Sequence, residues 1–143
     1  QFDKEDAVAI SMKFVNSAVG TFLLSDRTPT PWTWEMALGE SVRFPKTGQN
    51  AIRFLGTERA LEFPNLTLWS HADSGGDWHN EITAEKIKTP FVDAYIAQCR
   101  HLCAIVRGTE TPIIDARNGS KSLAATLAVA SSAASGRRVI LEQ

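Results

Sequence analysis

The chain has 143 residues, 43% hydrophobic and 22% charged, and its fifteen basic and sixteen acidic side chains leave a net charge of -1. That length suits a single domain, and the near-neutral balance excludes the electrostatic footprint of a nucleic-acid or anionic-membrane binder. No apolar run approaches the ~20 residues of a membrane span, and no basic segment with an apolar core opens the chain, so a cytoplasmic protein is expected.

In "DAVAISMKFV" (6–15), Val8, Ile10, Met12 and Phe14 alternate with Ala7, Ala9, Ser11 and Lys13, the pattern of a half-buried strand. "NSA" turns the chain, and "VGTFLLS" (19–25) returns as the second strand of a hairpin. This strand is apolar on both sides, with Phe22 and Leu24 on one and Val19 and Leu23 on the other, so its second face needs a cover of its own.

The prolines of "DRTPTPWTWEMALGES" break the pattern, leaving a loop with one helical turn near Trp34 to Leu38. Short strands are expected at 50–56, 59–63 and 66–70, separated by "GTE" and "PN" turn signals, and "HADSGGDWHNEI" reads as a polar hairpin tip. Thr89 and Pro90 mark a helix start as N-cap and first residue, with Asp93 in the first turn. Phe91, Tyr95, Ile96, Cys99, Leu102, Cys103 and Val106 form its expected buried stripe, and Gly108 ends it.

A closing helix carries Leu123, Leu127, Ala130 and Ala134 on one stripe, with Ala and Ser on its other faces that permit close packing. Gly136 suits the left-handed residue after it, Arg137 and Arg138 sit near the negative end of its dipole, and "RRVIL" reads as a last strand. Strands grouped ahead of helices predict an α+β fold: a mostly antiparallel open sheet with helices packed on one face, the other face serving subunit association. The sequence contains no G-x-G-x-x-G turn.

The cysteines, Cys99 and Cys103, form C-x-H-x-C with His101. On one helix His101 points roughly 160° away from the cysteine face, which disfavours zinc and favours buried thiols in a reducing compartment. His71, Asp73, Asp77 and His79 are residue types that a metal could use, but a solvated hairpin tip explains them as well. Glu5 and Asp6 read as a charge pair at the start of the first strand.

"EDAVAISMKFVNSAVGTF" resembles the strand pair E-D-x-(small)-x-x-x-(apolar)-x-N-G-x-x-G of a known C-terminal domain, and "FLGTERALEFP" is similar to its G-T-x-G-x-L turn. Residues 91–141 resemble its closing signature: F-x-x-x-(I/V)-x-x-G-x-x-P, then G-x-x-(A/S)-L, then an A-x-x-G-x-x-V-x-L ending. The family is the glucose–fructose oxidoreductase, inositol dehydrogenase and rhizopine-catabolism oxidoreductases, and the resemblance covers nearly the whole chain. Ser17 and Arg59 stand where that family usually has Gly, which leaves the turn types open.

The resemblance implies that residues 1–143 are the C-terminal domain of a two-domain enzyme that uses NAD or NADP on a sugar, polyol or related hydroxy compound. It implies that the Rossmann domain, the Lys of the E-K-P motif and the acid–base Asp and His lie outside this chain. The chain alone is then expected to bind no cofactor or metal and to be inactive.

In similar enzymes the loop after the second strand lines the substrate pocket. Trp32 and Trp34 would stack on a sugar ring, while Asp26, Arg27 and Glu35 would bond hydroxyls or a carboxylate. The other reading is a surface loop whose tryptophans pack on the domain or on a neighbouring subunit. Val19, Leu23 and Trp69 are candidate interface residues for a homodimer or homotetramer, with nucleic acid and membrane not expected as partners. The rival to an enzyme domain is a non-catalytic module that assembles through its sheet.

Overall fold

A computed structural model describes residues 6–72, 75–90 and 92–141. In chain order the elements are β1 (Ala7–Lys13), β2 (Val19–Ser25), α1 (Trp34–Leu38), β3 (Ile52–Leu55), β4 (Arg59–Phe63), β5 (Thr67–His71), β6 (Ile82–Lys86), α2 (Ala94–Val106) and α3 (Ala116–Ser135). The fold is α+β with antiparallel strands, which form a two-stranded sheet β1-β2 and a four-stranded sheet β3-β4-β5-β6. The chain divides into two compact units, Gln1–Arg27 with Ala94–Gln143, and Thr28–Asp93.

In the first unit, β1 and β2 pair from Ala7↔Ser25 to Lys13↔Val19. This register sets Val8, Ile10 and Met12 opposite Leu24, Phe22 and Gly20 on one face, and Ala9 opposite Leu23 on the other, as the alternation predicts. A Cβ on Gly20 would stand 3.3 Å from the Phe22 ring and 3.5 Å from that of Phe14, so glycine makes room for both rings. The turn closes with Phe14 N–H donating to Ala18 O at 2.8 Å, and Asn16 Oδ1 accepts from Ala18 N–H. Ser17 takes φ 69°, the left-handed region.

α2 starts at Ala94, later than Thr89-Pro90 predicts. Asp93, as good an N-cap type as Thr, immediately precedes it. The expected buried stripe is exposed: Tyr95, Ile96, Cys99, Leu102, Cys103 and Val106 face solvent, while Ala97, His101, Ala104 and Ile105 are half-buried. Phe91, assigned to the same stripe, lies outside the described residues.

The chain leaving α2 accounts for the change of face. Thr109 N–H and Oγ1 both donate to Ala104 O at 3.0 Å, Glu110 Oε2 meets His101 Nδ1, and Ile113 N–H donates to His101 Nε2 at 3.4 Å. The loop after the helix therefore lies on the His101 side and leaves the thiol side open.

Asp115 caps α3, its carboxylate accepting from Asn118 N–H at 2.8 Å, and Gly136 ends it at φ 63° as predicted. The half-buried face is Ala125, Ala128, Val129 and Ser132, beside the predicted stripe of Leu123, Leu127, Ala130 and Ala134, which is exposed. No strand forms at 137–141. Arg137 is turned onto the helix end instead: its carbonyl accepts from Ser132 Oγ at 2.8 Å and its N–H donates to Ser135 Oγ at 3.3 Å.

In the second unit, the register places Ile52, Phe54, Leu61, Phe63 and Leu68 on one sheet face. Leu55, Ala60, Trp69, Ala84 and Ile82 share the other. Gly56 sits in close approach to the next strand, because a Cβ there would lie 3.0 Å from Arg59 O, tighter than an ordinary contact. The left-handed Leu66 closes the β4–β5 turn, which is tied down by Asn65 N–H to Asn50 Oδ1 at 3.1 Å and Asn65 Nδ2 to Gly48 O at 2.6 Å.

β6, an exposed strand at the edge of the sheet, is not among the predicted elements. Its sequence "ITAEK" carries one large apolar residue and two charges, a composition that blunts an edge and hides the alternation. Among the described residues, no helix is long and apolar enough to cross a membrane.

Candidate functional site

The loop from Asp26 to Glu35 begins as an extension of the hairpin. Asp26 N–H donates to Asp6 O at 3.1 Å, and the Arg27 guanidinium meets the Asp6 carboxylate at 3.2 Å. Arg27 thus ties the end of β2 to the start of β1, and Asp6 is paired there; Glu5, its expected companion, lies outside the described residues. Exposed on both sides, this ion pair contributes only ~0–1 kcal/mol. Asp26 and Arg27 belong to the first unit, whereas Trp32, Trp34 and Glu35 belong to the second.

Within the second unit, Thr33 is the N-cap of α1, its Oγ1 accepting from Met36 N–H at 3.3 Å, and the left-handed Gly39 returns its N–H to Glu35 O. Thr47 laces the following segment back onto this turn, through Oγ1 to Pro31 O at 2.9 Å and N–H to Met36 O at 3.1 Å. Ala37, 1% exposed, is the one fully buried hydrophobic side chain among the described residues.

The tryptophans flanking Thr33 differ in their surroundings. Trp34 stacks on Phe63 of β4, with centroids 5.3 Å apart and planes inclined by 29°. Trp32 is 64% exposed against 49% for Trp34, and its N–H donates to Thr30 Oγ1. The ring of Trp32 is therefore the one best able to receive a flat apolar ligand face, with the exposed Glu35 carboxylate on the same short segment. Phe63 was not among the sequence candidates: its proximity to Trp34 comes from long-range strand pairing.

Of the candidate interface residues, Val19 and Leu23 are 77% and 83% exposed on the open face of the hairpin. Trp69 lies on the sheet face of the second unit that also carries Ala60 and Ala84.

In the hairpin tip, two of the candidate ligand residues meet each other. His79 Nδ1 turns to Asp77 Oδ1 at 3.3 Å, His71 packs against Gly76, and Asp73 lies outside the described residues. No group of three or more ligating side chains gathers among the described residues.

At the starts of α3 and α1 the Asp115 carboxylate and the Thr33 hydroxyl each accept a first-turn N–H, the donor type that a phosphate would use at a helix start. Comparison of the chain with family models, curated proteins and solved structures gives no match.

Proposed function

We propose that this chain is the C-terminal domain of an oxidoreductase that passes a hydride between NAD or NADP and a sugar, polyol or related hydroxy compound. The observation that carries the reading is the hairpin turn: Ser17 adopts φ 69°, the conformation that a glycine at this place in the related motif would supply. The turn geometry is thus compatible with the resemblance although the residue differs. At the second departure, Gly56 approaches the Arg59 carbonyl and Arg59 takes no left-handed φ, so that turn favours glycine at 56 and accepts Arg at 59.

In this reading the nicotinamide carries the redox chemistry from a nucleotide-binding domain encoded upstream. Trp32 offers its exposed ring to the substrate and Glu35 bonds a hydroxyl, while Trp34 braces the loop through Phe63 and Arg27 braces the hairpin through Asp6. Asp26 stands beside that brace as a further polar candidate.

The coding sequence upstream should contain a strand–GxGxxG–helix unit; its absence would overturn the reading. In the full-length enzyme, Trp32→Ala is expected to lower kcat/KM at least tenfold with cofactor affinity unchanged, measured by steady-state kinetics. Unaltered kinetics would remove Trp32 from the site.

The exposure of Val19 and Leu23 favours a second role, assembly of a homodimer or homotetramer through the open hairpin face. It equally favours a purely structural module if no catalytic domain accompanies the chain.

A further inference from the structure

α2 turns both of its cysteines to solvent, one helical turn apart on a single ridge with Tyr95 and Arg107, and Arg100 lines the same groove. Residues at i and i+4 of a helix have Cβ atoms ~5–6 Å apart. A disulfide requires roughly 3.5–4.5 Å, so the pair cannot close on itself without distorting the helix. One ion between the sulfurs suits the gap, because a metal–sulfur bond of about 2.3 Å on each side spans up to ~4.6 Å between sulfur atoms.

We propose that Cys99 and Cys103 form a two-thiolate site for a single soft ion of low coordination number, of the copper(I) class. The rest of the helix narrows the choice. His101 is unsuitable as a third ligand, because its ring faces the loop and is engaged by Glu110 at Nδ1 and by Ile113 N–H at Nε2. With no gathering of three ligating groups among the described residues, zinc and the harder ions lack a donor set here. Thiolate sulfur suits copper(I) and zinc alike, and the two-donor set is what favours copper(I), which accepts low coordination, over zinc, which takes four ligands.

Binding breaks two S–H bonds and forms two S–Cu bonds, releases two protons to solvent and leaves copper in the +1 state. The bis-thiolate complex carries one negative charge, which the Arg100 and Arg107 guanidinium groups in the same groove offset.

The test uses the intact protein, reduced and anaerobic, with copper(I) and phenylarsine oxide as separate probes. In the arsenical reaction two S–As bonds form, and the oxide oxygen leaves as water with both thiol protons, so one adduct per chain reports convergent thiols. We expect one copper(I) retained per chain against a chromogenic chelator and one arsenical adduct by mass spectrometry. Both should be lost in Cys99→Ser and in Cys103→Ser, while a disulfide reagent counts two reactive thiols in the unsubstituted protein. Two reactive thiols without the arsenical adduct would show exposed sulfurs that do not converge, and fewer than two would show that the ridge is covered. Copper retained equally by both serine variants would place the ion elsewhere. Each of these results overturns the proposal.

Discussion

In the sheet of β3 to β6, each strand is positioned by partners on other strands, and β4 and β5 carry mostly half-buried side chains. The turn after β4 is held by Asn50 and Gly48, and Phe63 meets Trp34 from another element. The helices α2 and α3 are secured by near neighbours instead. Asp115 and Gly136 cap α3, hydroxyls such as Thr126 Oγ1 donate to carbonyls one turn back, and Thr109 and Glu110 close the end of α2. A helix satisfies its backbone internally and so forms whatever its apolar stripe meets. A strand has no backbone partner within itself, so its formation and its burial are decided together.

The comparison can be tested with two separate signals. All four tryptophans, Trp32, Trp34, Trp69 and Trp78, lie in the Thr28–Asp93 unit, while α2 and α3 dominate the helical circular dichroism. Ala37→Asp places a carboxylate at the buried centre of α1 and should cost about 3 kcal/mol or more in urea unfolding followed by tryptophan emission. The helical signal should not move with it. A common shift in both signals would show that the units unfold as one.

Leu23→Lys comes next in size. Light scattering should show assembly of the unsubstituted protein and its loss in the variant, with both unfolding transitions in place. A variant that stays assembled would show that the open hairpin face is not the contact. Smaller still is Asp115→Ala, which removes the N-cap and should cost about 1 kcal/mol in the helical transition alone.

Leu127→Ala should cost no more than about 0.5 kcal/mol, because the side chain is exposed. A loss of about 2–5 kcal/mol, the range for a truncated core leucine, would mean that the stripe is covered in solution and would break the comparison.

The two tryptophans show how much of the candidate site was legible beforehand. Trp32 and Trp34 are the same residue type two positions apart, and the loop sequence offers both equally to a ligand. Only the placement of Phe63 makes one a brace and leaves the other open. Arg27 was likewise legible as a charge beside the hairpin, but its pairing with Asp6 depends on the β1–β2 register, which joins residues 21 apart. β6 is not legible in the sequence, because an edge strand bearing Glu85 and Lys86 shows little of the alternation that identifies a half-buried strand.

By itself the sequence determined what neighbouring residues decide: the alternation of β1 and its hairpin with β2, the turn at Asn16-Ser17, the helical turn at Trp34, and the stop at Gly136. Tertiary structure decided which face of α2 is covered, that 137–141 follows the end of α3 in place of joining a sheet, and that the strands divide into two sheets. The division has a physical reason. Caps, turns and side-chain alternation are set by sterics and hydrogen bonds within a few residues, whereas strand partnership and the cover of an apolar stripe depend on surfaces brought together from far along the chain.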